Sequence, residues 1–270
     1  MISFDISGKI AVITGGGGIL CSVMAKELAL LGVKIALLDI AEDKAQEIAD
    51  EINASGGEAI GIGVDVLNID SLKKAKDAVI NRFGRVDILI NGAGGNKATA
   101  TTSPTLSFFD MPQDALQWVV NLNLLGTIYT TQVFGKVMVD QGSGSIVNVS
   151  SMSAYTPLTN TVAYSAAKAA ISNFTQWMSV HFSQEYSKNI RVNAIAPGFL
   201  HTQQNHYLLV DENDNPTPRG GKIIAGTPMG RYGKPEELVG GIVYLCSDAA
   251  SFVTGTVLPI DGGYNAYSGV

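Results

Sequence analysis

Short apolar runs alternate with helical patterns along the whole chain, and this alternation is what most restricts the fold. Ile10–Thr14 reads as a buried strand that runs into four glycines. Leu20, Met24, Leu28 and Leu31 then share one helical face, and Gly32 stands where a helix commonly ends on a left-handed residue. Further strands are expected at Lys34–Asp39, 59–65, 86–91, 145–150, 191–196 and Val257–Ile260. Helices are expected over 41–54, 70–83, 113–139, 161–186 and 235–247, the 113–139 helix being interrupted near 121–123.

Apolar strands joined by helices call for a parallel sheet covered on both faces, with right-handed crossovers. The expected class is therefore α/β: one Rossmann-type doubly wound parallel sheet of about seven strands. A length of 270 residues suits a single domain of this kind, spanning 1–270. Ligands of such sheets bind beyond the strand carboxyl ends. Two stretches without periodicity, 94–112 and 199–227, follow strand carboxyl ends and are expected to overhang the binding crevice.

A net charge of −6 argues against nucleic acid or an anionic membrane surface as a partner. With 18 Lys and Arg in all, an anionic substrate needs a local cationic patch. Cys21 and Cys246 lie far apart without ligand spacing, so neither a disulfide framework nor a metal site is expected. The amino terminus lacks the basic and apolar regions of a signal peptide, and no run is long enough to span a membrane. A cytoplasmic setting is expected.

The segment from Thr14 to Cys21, Thr-Gly-Gly-Gly-Gly-Ile-Leu-Cys, follows the first strand and opens the first helix. Gly15, Gly17 and Gly18 let backbone approach a pyrophosphate, while Ile19 and Leu20 open a helix whose N–H groups favour an anion. A plain tight turn would use the same glycines. Asp39 ends the second strand, where a carboxylate accepts hydrogen bonds from the adenosine ribose and repels a 2′-phosphate, so NAD is favoured over NADP. The alternative for Asp39 is a helix N-cap. Asp65, followed by Val66, either approaches the adenine edge or serves as a turn residue.

Tyr164 and Lys168 are four apart on an expected helix and share a face. A nearby cation lowers a phenol pKa, which suits proton donation to a ketone near neutral pH. Nine tyrosines and 18 basic residues make one such pair unremarkable alone. The surrounding pattern adds to it. Ser151 follows the fifth strand, Asn123 heads Asn-Leu-Leu-Gly126, and Asn91-Gly-Ala-Gly94 closes the fourth strand. Pro197-Gly198 with Thr202 follows the sixth strand, and Asp261-Gly-Gly263 follows the last.

In this order and spacing, the chain resembles the short-chain dehydrogenase/reductase family over essentially its whole length. The resemblance implies a general acid/base at Tyr164, and a Lys168 that binds the nicotinamide ribose and depresses the tyrosine pKa. It implies that Ser151 hydrogen-bonds the substrate oxygen and that Asn123 holds a relay water where its helix is disturbed. Asn91, Gly92, Ala93, Pro197 and Gly198 would line NAD, and Thr202 would contact the nicotinamide carboxamide. The chemistry implied is direct hydride transfer. One departure stands out: Ile19 and Cys21 occupy positions where the family pattern carries glycine, which leaves the path of the phosphate loop open.

Further stretches resemble the D-mannonate oxidoreductase (fructuronate reductase) subgroup. They are Thr14-Gly-Gly-Gly-Gly, Asn91-Gly-Ala-Gly-Gly-Asn96, Ser172-Asn-Phe-Thr-Gln-Trp177, Ala194-Ile-Ala-Pro-Gly-Phe199, Thr227-Pro-Met-Gly-Arg231 and Ser268-Gly-Val270. This implies interconversion of D-fructuronate and D-mannonate. Gluconate with 5-keto-gluconate, or a hexitol, are alternative substrates, and a non-catalytic dinucleotide-binding redox sensor is an alternative of another class. Asn96, Lys97, Ser151, Gln203 and Arg219 are candidate substrate contacts, with Lys97 or Arg219 for the carboxylate. A homotetramer is implied, and Phe174, Trp177, Met178 and Phe182 suit either helix packing between copies or the internal core.

Overall fold

Every second side chain of the central strands belongs to a different core, and this fixes where the two helical layers sit. The computed structural model describes residues 2–269; Met1 and Val270, the latter closing the last of the subgroup motifs, lie outside them. The strands are β1 (Ile10–Thr14), β2 (Lys34–Asp39), β3 (Ala59–Gly63), β4 (Ile88–Asn91), β5 (Gly144–Val149), β6 (Ile190–Pro197) and β7 (Val257–Ile260). They form one parallel seven-stranded sheet in the order β3-β2-β1-β4-β5-β6-β7. The order reverses beside β1, whose Thr14 pairs with Leu38 of β2 on one side and Asn91 of β4 on the other. A crevice opens at such a reversal because the helices after β1 and β4 leave on opposite faces.

Ala11, Ile13, Ile35, Leu37, Ile88, Ile90 and Val147 face the first core. There they meet Met24, Ala25 and Leu28 of α1 (Ile19–Leu30) and Ala45, Ala49 and Ile52 of α2 (Glu42–Ala54). Val12, Ala36, Leu38, Leu89 and Ile146 face the second core. Leu72, Ala75 and Val79 of α3 (Ile69–Phe83) cover it, with helices from the second half of the chain. Each fully buried Leu or Ile contributes roughly 1.5–3 kcal/mol, so a one-residue slip of any central strand would be costly.

Several boundaries differ from the sequence expectation. β3 stops at Gly63: Val64 N–H makes the last bond of the β2 ladder, to the Asp39 carbonyl at 2.7 Å, and Asp65 opens the following turn, its carbonyl accepting from Asn68 N–H at 3.0 Å. β4 starts at Ile88, since the Gln141 side chain takes both backbone groups of Val86. The long 113–139 helix is α4 (Gln113–Val120), a five-residue π turn at Asn121–Leu125, and α5 (Gly126–Gln141), so its interruption falls where expected. The 161–186 helix is α6 (Val162–His181) followed by a second π turn.

The 199–227 stretch is not wholly irregular. It holds α7 (His206–Leu209) and α8 (Pro218–Ala225), the latter started by Pro218 and by Thr217, whose hydroxyl accepts from Gly220 N–H. In place of one helix over 235–247, a 3₁₀ turn leads into α9 (Val239–Cys246). Among the described residues no helix is long and apolar enough to cross a membrane.

Candidate active site

The glycine turn is shaped by what β1 delivers to it. Gly15 has φ +68°, a left-handed conformation that glycine adopts without strain, and a Cβ there would lie 3.0 Å from the Ala93 backbone. Gly16 N–H bonds the Leu38 carbonyl at 3.1 Å and Gly18 N–H closes on the Gly15 carbonyl at 2.9 Å. Gly18 is the N-cap of α1, which has no side-chain cap and no acid in its first turn. The positive end of α1 is thereby left to whatever occupies the crevice.

Asp39 ties the turn to β2. One carboxylate oxygen accepts from Gly17 N–H at 3.0 Å, the other from Ala41 N–H at 2.9 Å. Two acceptor positions remain for a ligand hydroxyl. Asp39 is not the cap of α2, whose N-cap is Ala41 without a side-chain bond.

Thr14, not singled out by the sequence reading, joins the two central strands: its buried hydroxyl accepts from Gly92 N–H at 3.1 Å and Ala93 N–H at 3.2 Å. Cys21 packs beneath Gly92, and burial pushes its thiol up to about 12, so it serves as a packing atom.

The other end of the crevice is built from β5 and α6. Ser151 follows β5, and its hydroxyl accepts from Ser153 N–H at 3.1 Å. Tyr164 and Lys168 lie one turn apart on α6, with the Lys168 ammonium 5.5 Å from the Tyr164 ring centre. Lys168 is buried and donates to the Val149 carbonyl at 2.7 Å. Burial pulls its pKa down to about 8, with Cys21 working in the opposite sense.

Burial also raises the Tyr164 phenol above its ordinary value, and the Ser151 side chain opposes this. The expected lowering of that phenol by Lys168 is therefore corrected: the ammonium is turned to the Val149 carbonyl, and desolvation of the phenolate prevails.

Asn123 sits in the π turn, fully buried. Its amide donates to the carbonyls of Gly95 at 2.7 Å and Val119 at 2.8 Å, and its oxygen accepts from Gly95 N–H at 3.2 Å. A Cβ on Gly94 would come within 2.7 Å of Asn123 Oδ1 and 3.4 Å of Lys168 Nζ. Glycine at 94 thus keeps the space between the two groups clear.

These pieces enclose a crevice of about 440 Å³. Gly15, Gly18, Ile19, Leu20, Asp39, Gly92, Ser151, Tyr164, Pro197, Gly198 and Thr202, all singled out in the sequence, line it. Gly17 and Ala93, both half-buried, do not line it, and Asn91, Asn123 and Lys168 are buried. Asn91 is a buried strut, donating to Asn148 at 2.8 Å and Thr131 at 3.1 Å.

Asp65 is exposed and does not line the crevice; its carboxylate accepts from Leu67 N–H at 2.9 Å, the turn alternative, and Val66 is buried against Gly126. Of the substrate candidates, only Ser151 lines the crevice. Asn96 is exposed and donates to the Thr101 hydroxyl at 2.9 Å, Gln203 is exposed, and Arg219 is exposed on α8. Lys97 is half-buried over Trp118.

Gln204 and Asn205 line the crevice instead of Gln203. Asn205 accepts from Thr202 N–H and donates to the Leu200 carbonyl, both at 2.8 Å. That local turn decides which amide of the Gln-Gln-Asn run faces inward. A larger apolar groove of about 650 Å³, between α5 and α6, holds none of these groups.

Known proteins resemble this chain in sequence and fold. A family model described as enoyl-(acyl carrier protein) reductase matches residues 20–265. The chain is 50% identical to an uncharacterized oxidoreductase of Bacillus subtilis named UxuB, across 98% of both chains. It is 32% identical to the 2-dehydro-3-deoxy-D-gluconate 5-dehydrogenase of Escherichia coli, again across 98% of each. A solved structure from Haemophilus influenzae with bound NAD, provisionally named a D-mannonate oxidoreductase, is 48% identical. It superposes with a TM-score of 0.92 over 98% of both chains. With likeness of this depth along nearly its whole length, the chain belongs to the short-chain dehydrogenase/reductase family.

Proposed function

We propose that this protein is an NAD-dependent oxidoreductase that interconverts a keto sugar acid and its hydroxy acid, D-fructuronate and D-mannonate. The carrying observation is the convergence of Ser151, Tyr164 and the amino end of α1 on one crevice, with Asp39 in its wall. A dinucleotide fits the residues present: side chains at positions 15, 92 and 94 would clash with Ala93, Cys21 and Asn123, so the floor is kept at backbone level. Gly15, Gly17, Gly18, Ile19 and Leu20 would hold the pyrophosphate, and Asp39 the adenosine ribose. Gly92, Ala93, Pro197, Gly198 and Thr202 would border the nicotinamide half.

NAD supplies the hydride chemistry when bound. Tyr164, kept neutral by burial, holds a proton on its phenol oxygen and gives it to the carbonyl oxygen of the ketose. Ser151 donates a hydrogen bond to the same oxygen. Lys168 would hold the ribose of the nicotinamide half, and Asn123 fixes the 94–95 backbone that borders this space. The name carried by the Haemophilus protein and the sugar-acid activity of the Escherichia relative support the substrate class.

The protein is also proposed to be a cytoplasmic homotetramer. The groove lined by Phe174, Trp177, Met178 and Phe182, with Trp177 56% exposed, offers one apolar face for assembly. Light scattering on the purified protein tests this.

NADH oxidation with D-fructuronate, 5-keto-gluconate and D-fructose tests the activity. Preferred turnover of fructuronate is expected. Preference for another ketose overturns the substrate, and NADH binding without turnover of any ketose favours a redox sensor.

A further inference from the structure

We infer that Lys97, held over the Trp118 ring, is the residue that binds the substrate's carboxylate and makes this site select acids over neutral ketoses. The inference rests on the sugar-acid reading and deepens it.

The crevice supplies no cation of its own. Among the described residues lining it, Asp39 is the single charged one, and it stands beside the glycine turn, away from Tyr164. An acid substrate brought to Tyr164 must find its counter-charge in the surrounding loops. Three cations of the surrounding segments are set aside by their settings. Lys168 is buried with its ammonium on the Val149 carbonyl. Arg231 is held by both carboxylate oxygens of Glu237, at 2.8 and 2.6 Å. Arg219 is exposed on α8 and does not line the crevice.

Lys97 does not line the crevice either, but it is half-buried where Arg219 is exposed. Its ammonium lies 4.2 Å from the Trp118 ring centre, and none of the ion pairs among the described residues involves it. Trp118 packs against the same small cluster of buried residues as Tyr164, so the cation lies over a ring that shares its packing with the proposed proton donor. An aromatic face attracts an ammonium without neutralising it. The charge stays available for a carboxylate, and a charge-assisted hydrogen bond made there is strong because the group is already half desolvated.

The loop that carries Lys97 is tied by hydrogen bonds on both sides of the residue. Asn123 brackets Gly95 through its backbone N–H and carbonyl. Thr101 donates to the Lys97 carbonyl at 2.9 Å, and Thr102 N–H bonds the Asn160 carbonyl at 3.0 Å, just before α6. Lys97 is therefore referenced to both Asn123 and the helix of Tyr164. A cation on a rigid mount discriminates between an acid and its neutral analogue better than one on a mobile loop.

Steady-state kinetics of Lys97→Met with NADH, using D-fructuronate and D-fructose, test the inference. KM for fructuronate is expected to rise roughly 10- to 100-fold, the size of one lost charge-assisted hydrogen bond. The fructuronate kcat should change less than about twofold, with fructose kcat/KM and NADH binding unchanged. Lys97→Arg should recover most of the loss, and Arg219→Gln should behave as wild type. An unchanged fructuronate KM in Lys97→Met, or equal losses on both ketoses, overturns the assignment of Lys97 while leaving the sugar-acid reading intact. A wild type that reduces fructose but no keto acid overturns both.

Discussion

The Cys21 thiol fills the space that a side chain at residue 92 would need: a Cβ on Gly92 would lie 2.2 Å from Cys21 Sγ. Cys21 stands where the family pattern carries glycine, and the fold accepts it because the facing residue of the 91–94 turn has no side chain. The glycine that lets α1 approach the sheet has in effect moved to the other wall.

This relation predicts a rescue. Gly92→Ala should destabilise the protein by about 1–3 kcal/mol through overpacking. Cys21→Gly in the same chain should recover most of that loss, giving a coupling well outside additivity. Urea unfolding of the two single variants and the double variant reads it. Additive losses would show that the two residues do not share this space.

Asp39 has two tasks, and its removal should show both. Asp39→Ala loses the bonds to Gly17 and Ala41 N–H and the repulsion of a 2′-phosphate. The NADH/NADPH ratio of kcat/KM is expected to fall at least roughly tenfold, the size of one lost charged hydrogen bond. A wild type that already prefers NADPH would contradict the role given to this carboxylate.

Lys168 predicts a pH slope in stability. Its pKa in the folded chain is about 8, against an ordinary value of 10.5. Between these values the unfolded chain holds the proton more tightly than the folded chain, so this group makes stability rise with pH. Cofactor-free wild type should gain up to roughly 2 kcal/mol over Lys168→Met between pH 8 and 9.5. Denaturant midpoints for both chains across this window measure the gain, and staying below pH 10 keeps tyrosine ionisation out of it. A constant difference between the two chains would contradict the depressed lysine.

The sheet was legible because its signal is local and repeated. Val12 and Ile13, Leu37 and Leu38, Leu89 and Ile90 are each apolar neighbours that point into opposite cores, and only a strand covered on both faces tolerates that. The π turn at Asn123 was legible as an interruption, since an asparagine amide inside an apolar helix must find partners. α7 was not legible: it has four residues and is held by distant contacts, including Tyr232 Oη–H to the Leu209 carbonyl at 3.1 Å.

At the site, Asp39 could be placed because it ends a strand, whereas Ser151 and Tyr164 were placed by the resemblance of the joint pattern to the family and not by either residue alone. The inward turn of Gln204 rather than Gln203 depends on the Asn205–Thr202 bond. The orientation of Lys168 depends on a carbonyl 19 residues away in sequence. Neither leaves a mark in residue type or spacing.

The central claim is that Tyr164 is the proton donor of an NADH-linked ketone reduction. The most direct measurement pairs NADH binding, read by fluorescence titration, with D-fructuronate turnover for wild type and Tyr164→Phe. The expected result is unchanged NADH affinity with kcat reduced roughly 10²- to 10⁴-fold, the range for loss of a positioned acid. A Tyr164→Phe enzyme that turns over within a few-fold of wild type would contradict the mechanism.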